Sequence, residues 1–274
     1  MKDGFSSDVA DKSLNKNTNI KGNSLVSSEK KVCLVTGGTG GIGSAICKRL
    51  SGDGFIVIAT CRPEKESKIG ELHQGLFAND SDIHVYPMDV SSFQSCGRLV
   101  SEIEQRFGPI SILINNAGIT RDSSMKKMDH DQWNDVISVN LSSVFNVSKL
   151  VFESMCNQRW GRIVNIASIN GQKGQFGQVN YAASKAGILG FTKSLALEGA
   201  RFGVTVNSVS PGYIGTKMVT ELPEDVLNSI ISQIPVGRLG TADEISSVIS
   251  FLTSDTSGFI TGSNIAVNGG QHMF

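Results

Sequence analysis

Seven short runs of β-branched and other apolar residues recur from residue 31 onward, and this recurrence constrains the fold most. Most intervals between the runs are long enough for a crossover helix. Units of this kind pair their strands in parallel, and right-handed crossovers place helices on both faces of the sheet. The sequence therefore predicts a single α/β domain with a doubly wound parallel sheet of about seven strands. The expected strands lie at 32–36, 55–60, 83–90, 112–118, 162–168, 204–210 and 265–270.

Residues 1–30 differ in composition from the rest of the chain. They are rich in Ser, Asn, Lys and Asp and have too few apolar residues for a packed element, so we expect a disordered polar tail before a domain at 31–274. They lack the continuous apolar stretch of a secretory signal. No later stretch reaches the roughly 18 apolar residues that a membrane span needs. The sequence thus predicts a cytoplasmic protein without a membrane partner.

Charge and cysteine usage narrow the class of partner. Lys plus Arg and Asp plus Glu number 25 each, so no net charge attracts nucleic acid or an anionic membrane. The five cysteines are scattered and free of Cys-x-x-Cys spacing. Neither a disulfide framework nor a zinc site is indicated, and we expect no metal. An enzyme of neutral metabolism in a reducing compartment fits these features.

A glycine-rich stretch, TGGTGGIG at 36–43, follows the first expected strand and precedes a helix. Glycines there permit a tight turn and a close approach of the backbone to a diphosphate, and the helix N-terminus offers free N–H groups. The sequence predicts a Rossmann-type dinucleotide site, although a loop that serves only the backbone is the alternative. The expected residues are Gly37, Gly38, Gly40, Gly41, Ile42 and Gly43.

The end of the second strand indicates which dinucleotide is bound. An NAD site usually has an acidic residue there for the ribose 2′-hydroxyl, whereas a 2′-phosphate needs a cation. Here Thr60 and Cys61 leave the acidic position empty, and Arg62 follows. Because a guanidinium binds phosphate bidentately, we expect NADP(H) rather than NAD(H). The alternative is that Arg62 only caps a solvated loop.

Tyr181 and Lys185 are four residues apart in YAASKAG, at the start of an expected helix. Residues at this spacing share one helix face. A phenol titrates near 10 unless a cation stabilises its anion, so we expect Lys185 to lower the pKa of Tyr181 into a range useful for acid–base chemistry. Ser168 ends the preceding strand, where its hydroxyl can bond a carbonyl oxygen. Asn140 is expected to hold a water behind Lys185.

These motifs, together with NNAG at 115–118 and PG at 211–212, resemble the short-chain dehydrogenase/reductase family in order and spacing across 31–274. The resemblance implies hydride transfer between a nicotinamide and a carbonyl or alcohol. It implies that Tyr181 is the acid/base, that Ser168 polarises the carbonyl, that Lys185 also grips the nicotinamide ribose, and that Asn140 completes a proton relay. Further cofactor contacts that it implies are Asp89 and Val90 at the adenine, Asn115, Ala117 and Gly118 along the cofactor, and Pro211, Gly212, Ile214 and Thr216 at the nicotinamide half.

A narrower resemblance is to the acetoacetyl-CoA reductases within this family, on stretches such as NNAGITRDSSMKKM, NGQKGQFGQVNY and the ending VNGGQHMF. It implies NADPH-dependent reduction of a short 3-oxoacyl-CoA to the (R)-3-hydroxyacyl-CoA of polyhydroxybutyrate synthesis. A short thioester needs neutral hydrogen-bonding groups and an aromatic wall. The alternative for GQKGQFGQ is a merely flexible polar loop. The substrate residues expected beside Ser168 and Tyr181 are Asp122, Gln175, Phe176 as the wall, Gln178 and Tyr213.

The main alternative is a 3-oxoacyl-(acyl-carrier-protein) reductase of fatty acid synthesis. Such enzymes present basic residues near the mouth of the site, and Leu197 replaces one of them here, whereas Arg159 and Arg162 remain. Both kinds of substrate carry a phosphorylated pantetheine arm, so these arginines alone do not separate them. A non-catalytic nucleotide-sensing module is a remote alternative, because fold alone does not confer chemistry.

Two further expectations concern a lid and assembly. Residues 213–238 interrupt the strand–helix alternation with an amphipathic stretch, which predicts a helical lid, with an inert insertion as the alternative. Residues 132–156 and 181–200 carry more apolar positions than one core-facing stripe uses. The family pairs these helices, so a homotetramer is expected, unless both helices are simply buried within one subunit.

Overall fold

The computed structural model describes residues 30–78 and 80–273, apart from the side chain of Met218. The polar tail expected over 1–30 lies, except for Lys30, outside the described residues. The domain boundary expected at residue 31 therefore stays a prediction.

One sheet of seven parallel strands organises the described part of the chain, in the order β3-β2-β1-β4-β5-β6-β7. The chain adds β2 and β3 on one side of β1 and then crosses to the other side for β4 to β7. The predicted doubly wound sheet is confirmed. The strands are β1 (Val32–Val35), β2 (Ile56–Cys61), β3 (Ile83–Pro87), β4 (Ile110–Asn115), β5 (Gly161–Ile166), β6 (Val204–Pro211) and β7 (Asn264–Val267).

Helices connect these strands and flank the sheet. Five expected strands were too long at their carboxyl ends. The chain leaves the sheet three residues early after Pro87, Asn115 and Val267, two residues early after Ile166 and one residue early after Val35. After β7 this exit uses Gly269 and Gly270, whose φ angles of 61° and 82° suit glycine. The helices are α1 (Gly41–Gly52), α2 (Ile69–Phe77), α3 (Phe93–Phe107), α4 (His130–Ile137), α5 (Ser143–Asn157), α6 (Ile169–Lys173), α7 (Val179–Gly199), α8 (Lys217–Thr220), α9 (Glu224–Ser232) and α10 (Ala242–Thr253).

The sheet separates two hydrophobic cores. Along β1, Leu34 packs with the core on the α3, α5 and α7 side, whereas Cys33 and Val35 pack with the core on the α1, α2 and α10 side. This alternation follows from the two-residue period of a strand. All four β1 residues are buried, which explains why the parallel strands are continuous apolar runs in the sequence.

A buried polar ladder crosses the sheet between α5 and α7. Asn115 on β4 donates to Ser148 Oγ on α5 at 3.1 Å and to Asn165 Oδ1 on β5 at 2.8 Å. Asn165 in turn donates to Thr192 Oγ1 on α7 at 2.9 Å. Because buried amides are costly unless paired, these matched donors and acceptors fix both helices against the strands that lead to the site.

The segment expected as one long helix at 132–156 is divided. A π-helical turn at Ser138–Ser142 lies between α4 and α5 and includes the buried Asn140. Such turns are rare and occur often at functional sites. No helix in the described part of the chain is long and apolar enough to cross a membrane.

Candidate active site

The candidate site lies at the carboxyl ends of the strands, where the sheet order reverses between β1 and β4. The loops after these two strands are bonded together. Thr36 Oγ1 accepts from the N–H groups of Asn116 at 2.9 Å and Ala117 at 3.0 Å. Asn116 Nδ2 donates back to the carbonyl oxygens of Thr36 at 2.9 Å and Gly37 at 3.1 Å. A crevice at such a reversal is the usual ligand site of open α/β sheets.

The glycine loop leaves no room for side chains. Gly37 has φ of +63°, and a Cβ atom on Gly38 would lie 2.7 Å from the Ala59 Cβ on β2. A Cβ on Gly43 would overlap the carbonyl oxygen of Gly37, and one on Gly41 would lie 2.9 Å from Thr216 Cγ2. The sequence thus requires glycine where the loop turns, packs on β2 and faces the chain after β6.

Helix α1 begins directly at this loop. Its N-cap is Gly40, no side chain caps it, and its first turn has no acidic residue. The first N–H groups of the helix and its positive dipole end are therefore available to an anion. Gly40 and Gly41 are exposed, whereas Ile42 is half-buried against the core.

The end of β2 borders the same loop. Thr60 Oγ1 accepts from Gly37 N at 3.1 Å, and Cys61 is buried, with the pKa of its thiol raised by burial. Arg62 is exposed and extended (φ −69°, ψ 150°), and its guanidinium has no ion pair or hydrogen bond within the described residues. A free cation thus follows the strand at the expected position.

The loop after β3 carries the two expected adenine residues. Val90 is buried, and Asp89 Oδ1 accepts from Ser91 N at 2.9 Å and Ser91 Oγ at 2.7 Å. Asn146 on α5 donates to the carbonyl oxygens of Val90 at 3.1 Å and Ser91 at 3.2 Å. The loop is therefore held by both its own side chains and α5.

Tyr181 and Ser168 meet at the start of α7 and the end of β5. Ser168 is the N-cap of α6, and its Oγ accepts from Asn170 N at 3.1 Å. Ser168 is also the hydrogen-bond partner of the Tyr181 phenol, a contact that lowers the phenol pKa. Because the Asn170 N–H occupies a lone pair of Ser168 Oγ, the serine proton is left for Tyr181 or for a carbonyl.

Lys185 is buried one turn after Tyr181. Its Nζ donates to the Ile166 carbonyl oxygen at 2.7 Å and lies 5.6 Å from the centre of the Tyr181 ring. The spacing argument correctly placed both groups on one face. Its electrostatic part was wrong for this structure: burial raises the pKa of Tyr181 above 10 and lowers the pKa of Lys185 to about 8. Desolvation disfavours the charged form of each group and is the largest cause of both shifts.

The π-helical turn places Asn140 beside this pair. Its side chain accepts from Ile119 N at 2.8 Å and donates to Ile119 O at 3.0 Å and Ser184 Oγ at 3.3 Å. A Cβ atom on Gly118 would lie 3.4 Å from Asn140 Oδ1 and 3.6 Å from Lys185 Nζ. The NNAG loop, Asn140 and Lys185 therefore converge; the sequence predicted that Asn140 lies near Lys185, and the water between them stays a prediction.

The expected substrate residues differ in their placement. Gln178 Nε2 donates to Asp122 Oδ2 at 2.8 Å, and Asp122 is near enough to raise the pKa of Tyr213 together with burial, which is the larger cause. Gln175 is exposed, and Phe176 is 89% exposed, so its ring packs against no wall in this structure. Asp122, Gln178 and Tyr213 are brought together, whereas Gln175 and Phe176 extend from the loop.

The segment after β6 lies next to the glycine loop. Pro211 and Ile214 are buried, and Gly212 N donates to Val267 O at 2.9 Å. Thr216 approaches Gly41, as the glycine contacts show. The stretch expected as a lid contains the helices α8 and α9, so its helical character is confirmed and its closing motion stays a prediction.

Three expectations about polar residues need correction or refinement. Arg159 and Arg162 lie at the amino end of β5, opposite the edge that carries Ser168, and Arg162 is buried with its guanidinium on the carbonyl oxygens of Gly161 and Ser254 at 2.9 and 3.2 Å. Neither arginine borders the mouth of this subunit's site. The side chain of Asn115 is turned into the sheet by the polar ladder, which leaves its main chain for a cofactor.

Known proteins with similar sequences show the family to which the chain belongs. A sequence model described as short chain dehydrogenase matches residues 31–227. The chain belongs to the short-chain dehydrogenase family. The acetoacetyl-CoA reductases of Allochromatium vinosum and Rhizobium meliloti are each 53% identical to it, over 243 and 244 residues, which is 89% of this chain and 99% of each relative. The 3-oxoacyl-(acyl-carrier-protein) reductase of Salmonella typhimurium is 46% identical over 248 residues, 90% of this chain and 100% of that relative.

Members of this family use a nicotinamide cofactor, and the residues present fit one. The cradle that a Cβ atom would fill at Gly41 and Gly43, with the uncapped start of α1, suits a diphosphate. Several residues that build this fit were missed from the sequence. Thr36 and Asn116 join the two loops, Ile166 offers its carbonyl to Lys185, and Asn180 Oδ1 accepts from Tyr181 N at 2.8 Å. The one signal in the sequence was the adjacent pair of asparagines in NNAG, and Asn115 rather than Asn116 was predicted from it.

The crowding at Gly43 makes a direct prediction. Gly43→Ala should abolish dinucleotide binding, because its Cβ would displace Gly37 from the turn. Gly52→Ala, at the other end of α1 where a Cβ meets nothing within 4 Å, should bind as the wild type does. Titration of NADPH fluorescence measures both, with circular dichroism as a check of folding. Unaltered binding by Gly43→Ala would contradict the cradle.

Proposed function

We propose that the protein catalyses NADPH-dependent reduction of acetoacetyl-CoA, a short 3-oxoacyl thioester, to the (R)-3-hydroxyacyl-CoA. The observation that carries the proposal is the half-buried Tyr181 between the buried Ser168 and Lys185, at the edge where the glycine loop lies. The resemblance to acetoacetyl-CoA reductases, at 53% identity over 89% of this chain, supports the substrate class. The (R) configuration of the product is inferred from the same resemblance.

Ser168 and Tyr181 act as donors to the substrate: both donate a hydrogen bond, and Tyr181 also donates a proton. When bound, NADPH supplies a hydride to the 3-keto carbon. Ser168 and Tyr181 bond the carbonyl oxygen, and Tyr181 gives up its proton as that oxygen gains charge. Lys185 holds the nicotinamide ribose and stabilises the phenolate that forms, and Asn140 continues the proton path. Arg62 and the glycine loop would hold the phosphates, with Asp89, Val90, Ala117, Gly118, Gly212 and Ile214 along the rest of the cofactor.

A carrier-protein reductase is the second candidate, and the relative of Salmonella typhimurium favours it at lower identity. Leu197 in place of a basic residue is 83% exposed on α7, so this surface offers an acidic partner one contact fewer. Arg159 and Arg162 do not border the mouth of the subunit's own site. These features support CoA as the carrier of the acyl group.

Assembly as a homotetramer is part of the proposal. Phe145 on α5 is 53% exposed, and α7 has a line of exposed small residues at Ala183, Ala186 and Gly190 that ends near Leu197. Exposed apolar residues on long helices are typical of subunit contacts. All five cysteines are free thiols, which supports the cytoplasm as the compartment.

The decay of NADPH absorbance tests the activity. We expect faster decay with acetoacetyl-CoA than with acetoacetyl carrier protein. Tyr181→Phe should lose at least about 10²–10³ in turnover because it lacks the donor, and it should still bind NADPH. The reverse preference would favour the carrier-protein reductase. Binding of NADPH without turnover of either substrate would favour the nucleotide-sensing module.

The free guanidinium of Arg62 predicts cofactor preference. Arg62→Leu should raise the KM for NADPH about 10- to 100-fold, the worth of a charge-assisted bond, and leave the KM for NADH unchanged. Arg98→Leu removes the same charge from an exposed position on α3 and serves as the control. Equal effects of Arg62→Leu on the two cofactors would argue against a 2′-phosphate contact.

The buried Lys185 predicts a pH-dependent gain of stability on its removal. The folded pKa of about 8 lies below the unfolded 10.5, so the protonated amine destabilises the fold fully below pH 8, and this cost fades as pH rises toward 10.5. Lys185→Met should therefore stabilise the protein by about 2 kcal/mol at pH 7, after the loss of the Ile166 bond, and by much less at pH 9.5. Urea unfolding at both pH values measures this. A destabilised Lys185→Met at pH 7 would contradict the electrostatic account.

A further inference from the structure

A line of hydrogen bonds runs from Ser168 to the mouth of the site. Asn170 N donates to Ser168 Oγ at 3.1 Å, and Asn170 Nδ2 donates to Gln178 Oε1 at 2.9 Å. Gln178 Nε2 donates to Asp122 Oδ2 at 2.8 Å. The line joins the end of β5, the loop before α7 and the loop after β4. Neither the motifs nor the comparisons assign a role to Asn170.

The direction of each bond in this line is determined. An ionised carboxylate only accepts hydrogen bonds, so Gln178 must present its NH₂ group to Asp122 and its oxygen to Asn170. Asn170 must then present its own NH₂ group to Gln178. The second N–H of Gln178 has no acceptor among the described residues, so it is available to a substrate.

The side chain of Asn170 is only partly hydrogen-bonded. Asn170 is 8% exposed, and its Oδ1 atom is buried without a hydrogen-bond partner in the described chain. Its bonds to Ser168 and Gln178, rather than the unpaired oxygen, distinguish Asn170 from Gln172 on the same helix, whose side-chain oxygen and nitrogen are also unpaired. Turning the amide to pair Oδ1 would break the bond to Gln178.

The helix that carries Asn170 is fixed against the catalytic helix. A Cβ atom on Gly171 would lie 2.7 Å from the main-chain carbon of Lys185. α6 and α7 therefore pack with their backbones in contact at Lys185. Asn170 is thus held in a constant relation to Tyr181 and Lys185, which a positioning role requires.

A 3-oxoacyl thioester has two carbonyl groups separated by one methylene, so its site needs two sets of donors. Ser168 and Tyr181 supply one set for the 3-keto oxygen. We propose that Asn170 is a positioning residue that supplies the other indirectly: its side chain turns the Gln178 amide so that a free N–H faces the thioester carbonyl, while its main-chain N–H orients the Ser168 hydroxyl. This inference rests on the proposed function.

The role predicts a split between KM and kcat. Asn170→Leu keeps the main-chain N–H and removes only the side-chain donor, so KM for acetoacetyl-CoA should rise about tenfold with kcat changed less than about threefold. The rate at which the variant reduces a simple aliphatic ketone, which lacks the second carbonyl, should not fall. Thermal stability should not fall, because the unpaired oxygen is removed. Asn170→Asp keeps the shape without the donor and should raise KM similarly if the leucine variant fails to fold.

Gln172→Leu is the matched control. Gln172 lies on the same short helix, and both polar atoms of its side chain are buried without a partner, but it is not part of the line to Ser168. It should leave kcat and KM unchanged. An equal rise in KM for Gln172→Leu would show a general effect of altering α6 and would overturn the proposal.

A double-mutant cycle tests whether Asn170 acts through Gln178. Gln178→Leu should raise KM about tenfold, and adding Asn170→Leu should change it by less than about twofold. A second tenfold rise, or an unchanged KM in Asn170→Leu, would overturn the positioning role while wild-type turnover still supports the proposed function. A wild-type enzyme that does not reduce acetoacetyl-CoA would remove both proposals.

Discussion

The bonds between Thr36 and Asn116 determine the geometry of everything else at the site. Thr36 is buried at the end of β1, and its hydroxyl accepts two N–H groups from the loop after β4. Asn116 returns two bonds to the glycine loop. At about 1 kcal/mol each, four such bonds together contribute about 4 kcal/mol to holding the two loops against each other. Gly118, two residues later, lies against Asn140 and Lys185. The glycine loop is therefore held at a fixed distance from these two side chains.

The site and the sheet treat polar groups differently. In the ladder of Asn115, Asn165 and Thr192, donors meet acceptors, and the sheet gains order from them. At the site, Lys185 is buried with one carbonyl partner, and Asn170 has an acceptor without one. Within the described chain, Lys185 therefore keeps unused donors, and Asn170 keeps an unused acceptor.

Sequence patterns correctly predicted the features that depend only on residue spacing along the chain. The glycine loop, the alternation of strands and helices and the shared face of Tyr181 and Lys185 all follow from spacing along the chain, and the structure agrees with them. Burial is a tertiary property, which is why the direction of the Tyr181 pKa and the inward position of Arg162 could not be found in this way. Asn115 and Asn116 are adjacent and identical in type, and only the sheet decides which one faces the glycine loop.

The surroundings of Tyr181 keep its phenol protonated. Burial and the charge of Asp122 raise the pKa of Tyr181, while the bond to Ser168 lowers it by less. The phenol therefore keeps its proton at neutral pH until an oxygen beside it gains negative charge. The protonated phenol is the form that can donate to such an oxygen. Asp122 is bonded to Gln178, so the carboxylate that helps to keep Tyr181 protonated also orients the amide at the mouth. The same carboxylate thus raises the pKa of Tyr181 and accepts a hydrogen bond from the Gln178 amide.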